Sequence, residues 1–103
     1  LAQAAGRPVL LDLYADWCLA CKEMERYTFS DPGVQGELRR FVLLQADVTA
    51  NDAEDRALQR HFGIPGPPAI LFFDGSGRER PEHRLVGFKP PADFIAHLQR
   101  VVP

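Results

Sequence analysis

Two cysteines three residues apart, Cys18 and Cys21, come directly after an apolar segment, Arg7 to Ala15 (RPVLLDLYA). That junction sets the tightest limit on what the chain folds into. An apolar run interrupted only by Asp12 suits a central strand covered on both faces. Trp17 to Phe29 follows with good helix formers and no Gly or Pro. The cysteines therefore lie where a strand passes into a helix. A helix turns ~100° per residue, so positions three apart face nearly the same way, and two sulfurs so placed close a disulfide and reopen it. Cys18 falls in the first turn, where unpaired N–H groups and the helix dipole favour an anion and lower a thiol's pKa. Cys21, one turn further in, suits the resolution of a mixed disulfide.

Two plainer readings compete. A structural zinc site needs about four ligands, and the remaining candidates, His61, His83 and His97, are scattered without pairing. No metal site is expected. A purely structural disulfide at this spacing closes a tiny loop and stabilises little. Two cysteines are also too few for a disulfide framework, whereas C-x-x-C after a strand of a βαβ pattern is a redox signal. The expected working cofactor is the cysteine pair itself. No nucleotide or flavin motif accompanies it.

The rest of the chain supplies a frame for that site. Residues 1–5 offer a short helical stub, and Ser30-Asp31-Pro32 interrupts the first helix and restarts one running to about Arg40. Phe41 to Val48 reads as a second buried strand. Asn51-Asp52 caps a helix to about Phe62 with Ala53, Ala57, Leu58 and His61-Phe62 on one face. Gly63 to Pro68 forbids regular structure. Ala69 to Asp74 and Arg84 to Phe88 form an antiparallel hairpin around Gly75-Ser76-Gly77, and Pro90-Pro91 opens a last helix carrying Phe94, Ile95, Leu98, Val101 and Val102. The expected architecture is α/β: a mixed sheet of about four strands flanked by helices on both faces.

Length and composition agree with one domain over residues 1–103. With 46% hydrophobic and 25% charged residues the chain is neither disordered nor collagen-like. A net charge of −2 without a Lys/Arg cluster argues against nucleic acid as a partner. The apolar stretches fall far short of the ~20 residues of a membrane span. A start at Leu1, without a leader, reads as a domain cut from a longer protein.

Several residues around the pair are candidates for supporting it. Asp12 is costly to bury and should have a raised pKa, which makes it a proton acceptor for the deeper thiol unless its strand lies at a solvated edge. Glu25 stands ~40° from Cys21 and ~20° from Cys18 around an ideal helix axis, so it either tunes the thiols or is an ordinary solvated helix residue. Pro67-Pro68 precedes a strand. The bond between them is either cis, exposing backbone for strand-like docking of a substrate, or part of a rigid connector. Trp17 either covers the site or is a core aromatic. Asp16 is a helix-entry residue. Tyr14, Phe72, Phe73, Phe88 and Phe94 are expected in the core, and the histidines at the surface or in structural roles.

With Asp12 upstream and Pro68 before a strand, W-C-L-A-C-K resembles the thioredoxin fold. The stretches LDLYADWCLACKEME, YTFSDP, LLQADVTAND and PAILFFDG resemble one branch of it, the C-terminal periplasmic domains of the DsbD thiol:disulfide interchange family of Gram-negative bacteria. The similarity covers about residues 6–100. It implies a domain of an inner-membrane protein that takes electrons from a membrane-embedded domain and passes them to the N-terminal domain of the same protein. From there they reach periplasmic disulfide isomerases and the cytochrome c maturation proteins. It further implies Cys18 as exposed nucleophile, Cys21 as resolving cysteine, Pro68 as cis-proline, and Asp12 and Glu25 as an acidic pair beside them. Trp17 and Pro67 join Pro68 as expected substrate-binding residues, and the isolated domain is expected to be monomeric. Leu19-Ala20 replaces the Gly-Pro of ordinary thioredoxins, Pro67 makes an unusual Pro-Pro step, and Ala69 stands where Thr is common. The alternatives are a free-standing thioredoxin-like reductase and, from another class, a redox-inactive docking module.

Overall fold

A computed structural model describes residues 6–102 of the chain, so the stub expected at residues 1–5 lies outside the described residues. The apolar run forms β1 (Val9–Tyr14), which is interior to a four-stranded sheet of order β2-β1-β3-β4. It pairs in parallel with β2 (Val42–Asp47) and antiparallel with β3 (Ala69–Phe73). Three helices, α1 (Leu19–Glu23), α2 (Pro32–Leu38) and α4 (Pro91–Val101), belong to one side, and α3 (Ala53–Phe62) to the other. The mixed α/β sandwich expected from the sequence is therefore the observed one.

Alternation along β1 sorts its side chains between two cores. Leu10 joins Met24, Val34, Leu38, Phe41, Ile70, Phe72, Phe94 and Leu98 under α1, α2 and α4. Val9, Leu11 and Leu13 join Ile64, Ala69, Leu71 and Phe73 on the α3 side. Each such side chain, fully buried, contributes roughly 1.5–3 kcal/mol through removal of its apolar surface from water.

The structure corrects four sequence expectations. First, β2 is not covered on both faces: it is an edge strand with Leu43, Gln45 and Asp47 exposed. The helical layer on that face covers β1 and β3 and leaves an open groove of about 610 Å³ beside β2. Second, the first helix does not stay α to Phe29. Met24–Thr28 forms a π turn, in which the Phe29 N–H donates to the Met24 carbonyl at 2.7 Å. The wider turn brings buried Met24 and Thr28 to the same partner: the Lys89 N–H donates to Met24 Sδ, and Thr28 Oγ1 donates to the Lys89 carbonyl.

Third, the inward face of α3 carries Leu58, Gln59 and Phe62, while Ala53, Ala57 and His61 are exposed. Phe62 sets this rotation by packing edge-on against Phe73. Gln59 tolerates burial because its amide donates back to the Asp55 carbonyl. A capping box between Asp52 and Asp55 starts α3, and Gly63 at φ 68° ends it. Fourth, the hairpin partner is shorter than Arg84 to Phe88. After a bridge between Phe73 and Glu79 and a 3-10 turn at Pro81–His83, β4 is only Leu85–Val86. Phe88 follows Gly87, which turns the chain at φ 86°, and stands exposed rather than in the core.

His97 is buried on α4 and has a structural role. Its Nε2–H donates to the His83 carbonyl at 2.7 Å, and Nδ1 accepts from the Arg100 guanidinium. Desolvation, assisted by Arg100, lowers its pKa below 6.5. The unfolded chain therefore binds this proton more readily than the native one. His97 favours folding above about pH 6.5, and that contribution is lost as pH falls through and below that value. Replacing His97 with Gln should flatten this part of the stability-versus-pH curve, read by urea unfolding at pH 5 and pH 7.5.

Strand directions bring the chemistry to one edge. Tyr14 ends β1 opposite Asp47 at the end of β2, and Leu13 lies opposite Ala69 at the start of β3. The segments containing Cys18, Thr49 and Pro68 therefore leave the sheet at the same end.

Candidate active site

Ala15 accepts the Cys18 N–H at 3.1 Å, turning the chain out of β1. Cys18 is the N-cap of α1, with extended backbone (φ −93°, ψ 106°), and its Sγ accepts the Cys21 N–H at 3.1 Å. A sulfur thus takes the place that a Ser or Asp oxygen holds in ordinary caps, and a backbone donor already points at the atom that carries charge in the thiolate. Cys18 and Cys21 are joined in a disulfide, with Cα atoms 5.2 Å apart.

Both cysteines sit in a small apolar cluster with Tyr14, Ala15 and Val48. Cys18 is 6% and Cys21 3% exposed. The nucleophile implied by the resemblance is therefore the less buried of the two but is not exposed in the oxidised state. Its chain neighbours are: Trp17 is 59% and Leu19 74% exposed. These two exposed side chains flank the buried sulfur on either side along the chain. Trp17 accordingly flanks the site and is not a core aromatic.

Asp12 lies in the interior strand, half-buried, with its side chain lining the open groove beside β2 together with Gln45. Burial pushes its carboxyl up from 3.8 to about 6, and the charge of Glu25 adds to the rise. Gln45, its register partner on β2, opposes both by donating to Oδ2 at 3.5 Å. Glu25 is exposed on the π turn, and no hydrogen bond joins it to Asp12 among the described residues. Neither carboxylate hydrogen-bonds a cysteine among the described residues. Cys21 Sγ faces the Leu13 carbonyl, one residue beyond Asp12.

The Pro67–Pro68 bond is cis, and the Pro68 carbonyl accepts the Gly87 N–H at 3.4 Å, tying this loop to the end of β4. Exposed Val86 and Phe88 flank Gly87. Leu19-Ala20 leaves the helix start intact without the proline of ordinary thioredoxins.

Two residues not singled out from the sequence, Lys22 and Thr49, hydrogen-bond residues beside the cysteine pair. Lys22 donates to the Tyr14 hydroxyl, which donates in turn to Asp16, each at 3.0 Å. Asp16 stands before Cys18 and accepts the Tyr14 hydroxyl. Thr49 receives bonds from both Asp16 and Trp17. The sequence signal for it was the D-V-T step at the end of β2, a side-chain-to-backbone turn pattern.

A family model described as thioredoxin-like matches residues 1–75. The thiol:disulfide interchange protein DsbD of Escherichia coli strain K12 is 61% identical over 99 residues, covering 96% of this chain and 18% of that protein. The chain thus spans less than a fifth of the length of the curated relatives it matches. The oxidised C-terminal domain of DsbD from Neisseria meningitidis superposes with a TM-score of 0.82 at 37% identity, covering 95% of this chain and 83% of that one. A thioredoxin from Thermus thermophilus superposes with a TM-score of 0.81 at 35% identity, covering 98% and 78%.

Proposed function

We propose, because this chain belongs to the thioredoxin-like family and within it to the C-terminal domains of the thiol:disulfide interchange protein DsbD, that it is a protein-disulfide reductase domain relaying electron pairs through Cys18 and Cys21. The observation that carries the reading is the disulfide at the start of α1, with Cys18 Sγ on a backbone donor and a carboxyl poised near pH 6 one strand position from the residue that Cys21 faces.

In the reduced state the Cys18 thiolate attacks a partner's disulfide. An S–S bond forms between Cys18 and one partner sulfur as the partner's own S–S bond breaks, and the released thiolate takes a proton. Cys21 then loses its proton, for which Asp12 is the proposed acceptor, and attacks Cys18 Sγ. The Cys18–Cys21 disulfide forms, the mixed disulfide breaks, and the second partner sulfur leaves as thiolate. Two electrons pass to the partner; the first released thiolate is protonated from solvent, and the proton taken from Cys21 by Asp12 returns to the second leaving thiolate or to solvent. An upstream dithiol restores the pair by the same steps in reverse. No metal or organic cofactor enters this scheme.

Residues 1–103 are proposed as a single thioredoxin-like domain of a longer membrane-anchored protein. Its electron donor would be a membrane-embedded domain and its acceptor the N-terminal domain of the same protein, in the periplasm of a Gram-negative bacterium. Trp17, Pro67 and Pro68 are proposed to contact the partner, and Glu25 to act with Asp12. The relay reading is favoured over a free-standing reductase by the 61% identity to DsbD itself. Stopped-flow mixing of the reduced domain with the oxidised N-terminal domain and, separately, with insulin tests it. The relay reading expects clearly faster exchange with the N-terminal domain; equal rates would favour the free reductase. No exchange with either would leave the docking module.

The acidic pair should restrain the nucleophile. The helix start and the Cys21 N–H favour the Cys18 thiolate, whereas negative charge at Asp12 and Glu25 disfavours it. Asp12→Asn and Glu25→Gln are each expected to lower the Cys18 pKa in the reduced protein, read as thiolate absorbance against pH. The two charges act on the same thiol, so the effect of the double variant need not equal the sum. A double variant with an unchanged or higher pKa would make the pair structural.

A further inference from the structure

Four hydrogen bonds meet on Thr49 in the segment that follows β2. Its backbone N–H donates to Asp47 Oδ1 at 2.9 Å, and its hydroxyl donates to the same oxygen. Its hydroxyl oxygen accepts the Asp16 N–H at 2.8 Å, and its carbonyl accepts the Trp17 indole N–H at 3.0 Å. The segment is itself held to the end of the sheet. The Val48 N–H donates to the Tyr14 carbonyl at 2.7 Å, and the Asn51 N–H to the Val48 carbonyl at 3.0 Å, with Asn51 in the left-handed region at φ 49°. A short polar side chain suits that conformation better than a branched one.

These bonds grip the two residues that precede Cys18. Asp16 and Trp17 are exposed and belong to no regular element, so nothing in the cores orders them. Thr49 fixes one by its backbone and the other by the edge of its ring. The indole is anchored at Nε1 yet 59% exposed, which leaves its apolar surface free beside the sulfur. An aromatic side chain immobilised before binding loses less freedom when a partner docks.

We infer that Thr49, locked by Asp47, is a positioning residue of the redox site that holds Trp17 as a preset platform beside Cys18 for an incoming protein disulfide. The inference rests on the redox reading above and adds a residue that the cysteine chemistry alone does not require. Thr49 touches neither sulfur, so its effect should fall on productive encounter with a protein and less on reaction with a small disulfide that needs no platform.

Trp17 is the only tryptophan of the chain, so intrinsic fluorescence reports on this position alone. Three variants serve: Thr49→Val removes the hydroxyl and keeps the shape, Thr49→Ser keeps the hydroxyl, and Asp47→Ala frees Thr49 without altering it. Time-resolved anisotropy of the reduced proteins is read beside rates of reaction with insulin and with the small aromatic disulfide 5,5′-dithiobis(2-nitrobenzoic acid). Far-UV circular dichroism reports that each variant is folded. Thr49→Val and Asp47→Ala are expected to show greater indole motion and a roughly 3- to 10-fold slower insulin reaction, as for one side chain newly immobilised on docking. The small disulfide should be affected less, and Thr49→Ser should behave as the unaltered chain. Unchanged anisotropy in both disrupting variants overturns the clamp. Greater motion with an unchanged insulin rate, or equal slowing with both substrates, overturns its role in docking. An unaltered chain that cannot reduce insulin would sink the redox reading itself, and this inference with it, before any variant is compared.

Discussion

Replacing Cys21 with Ala is expected to convert the domain from a turnover catalyst into a trap. Cys18 keeps its cap position and remains able to attack a partner disulfide, but no thiol is left to break the mixed disulfide. The covalent complex should accumulate with one partner chain per domain, seen on non-reducing gels and dissolved by dithiothreitol. Cys18→Ala should give no complex, because Cys21 is the more buried sulfur and faces the Leu13 carbonyl. Both variants should lose turnover to the level of a chain lacking both cysteines. Loss of fold does not explain such an outcome. A disulfide closing so short a loop contributes about 2 kcal/mol by the chain-entropy account, and the two hydrophobic cores lie outside it. Equal trapping by the two variants would remove the division of labour between nucleophile and resolving thiol.

The parts of the fold that rest on local chemistry were legible in the sequence. The RPVLLDLYA run could be read as an interior strand because apolar residues at both parities suit a strand covered on both faces. The Asp31-Pro32 restart, the Asp52 cap and the Pro91 helix start are written in residues whose backbone preferences act over one turn. The errors share a different cause. Phe41 to Val48 resembles the first strand in composition, yet its place at the edge is set by the pairing order of the sheet, and its exposure by how far α2 and α4 reach across it. The π turn at Met24–Thr28 and the rotation of α3 likewise answer to distant partners, Lys89 and Phe73.

The candidate site divides along the same line. Cys18, Cys21 and Asp12 announce themselves by spacing and by cost, since a redox pair and an acid in an apolar strand have few other uses. Glu25 was legible only as an angle on an ideal helix, and the structure adds that it sits exposed on the π turn, with its charge raising the Asp12 pKa. Gln45 and Thr49 lie more than twenty residues downstream of the cysteines. Only the parallel pairing of β1 with β2 brings them alongside.

Asp12→Asn should stabilise the fold at neutral pH while slowing the resolving step. The carboxyl titrates near 6 in the native state against 3.8 in the unfolded chain. Between those values the native state holds a proton that the unfolded state has released, so stability falls as pH rises from about 3.8 through 6 and levels off above. Two pKa units correspond to roughly 2–3 kcal/mol, an upper range for a carboxyl that keeps some contact with solvent. Asparagine retains an oxygen for the Gln45 donor and carries no charge to bury. The variant should therefore lose this slope and, at pH 7, melt on the order of 10 °C higher. Comparing the two proteins at each pH isolates Asp12 from His97, whose contribution runs in the opposite direction. If Asp12 accepts the Cys21 proton, the same variant should resolve mixed disulfides on the order of 10²-fold more slowly near neutral pH. A lower Cys18 pKa would meanwhile quicken the first attack, so the covalent intermediate should build up even with both cysteines present. The proposed transfer of the Cys21 proton would account for a carboxylate placed at such a cost to stability. A variant that gained stability and resolved at the normal rate would remove that explanation, leaving water to take the Cys21 proton.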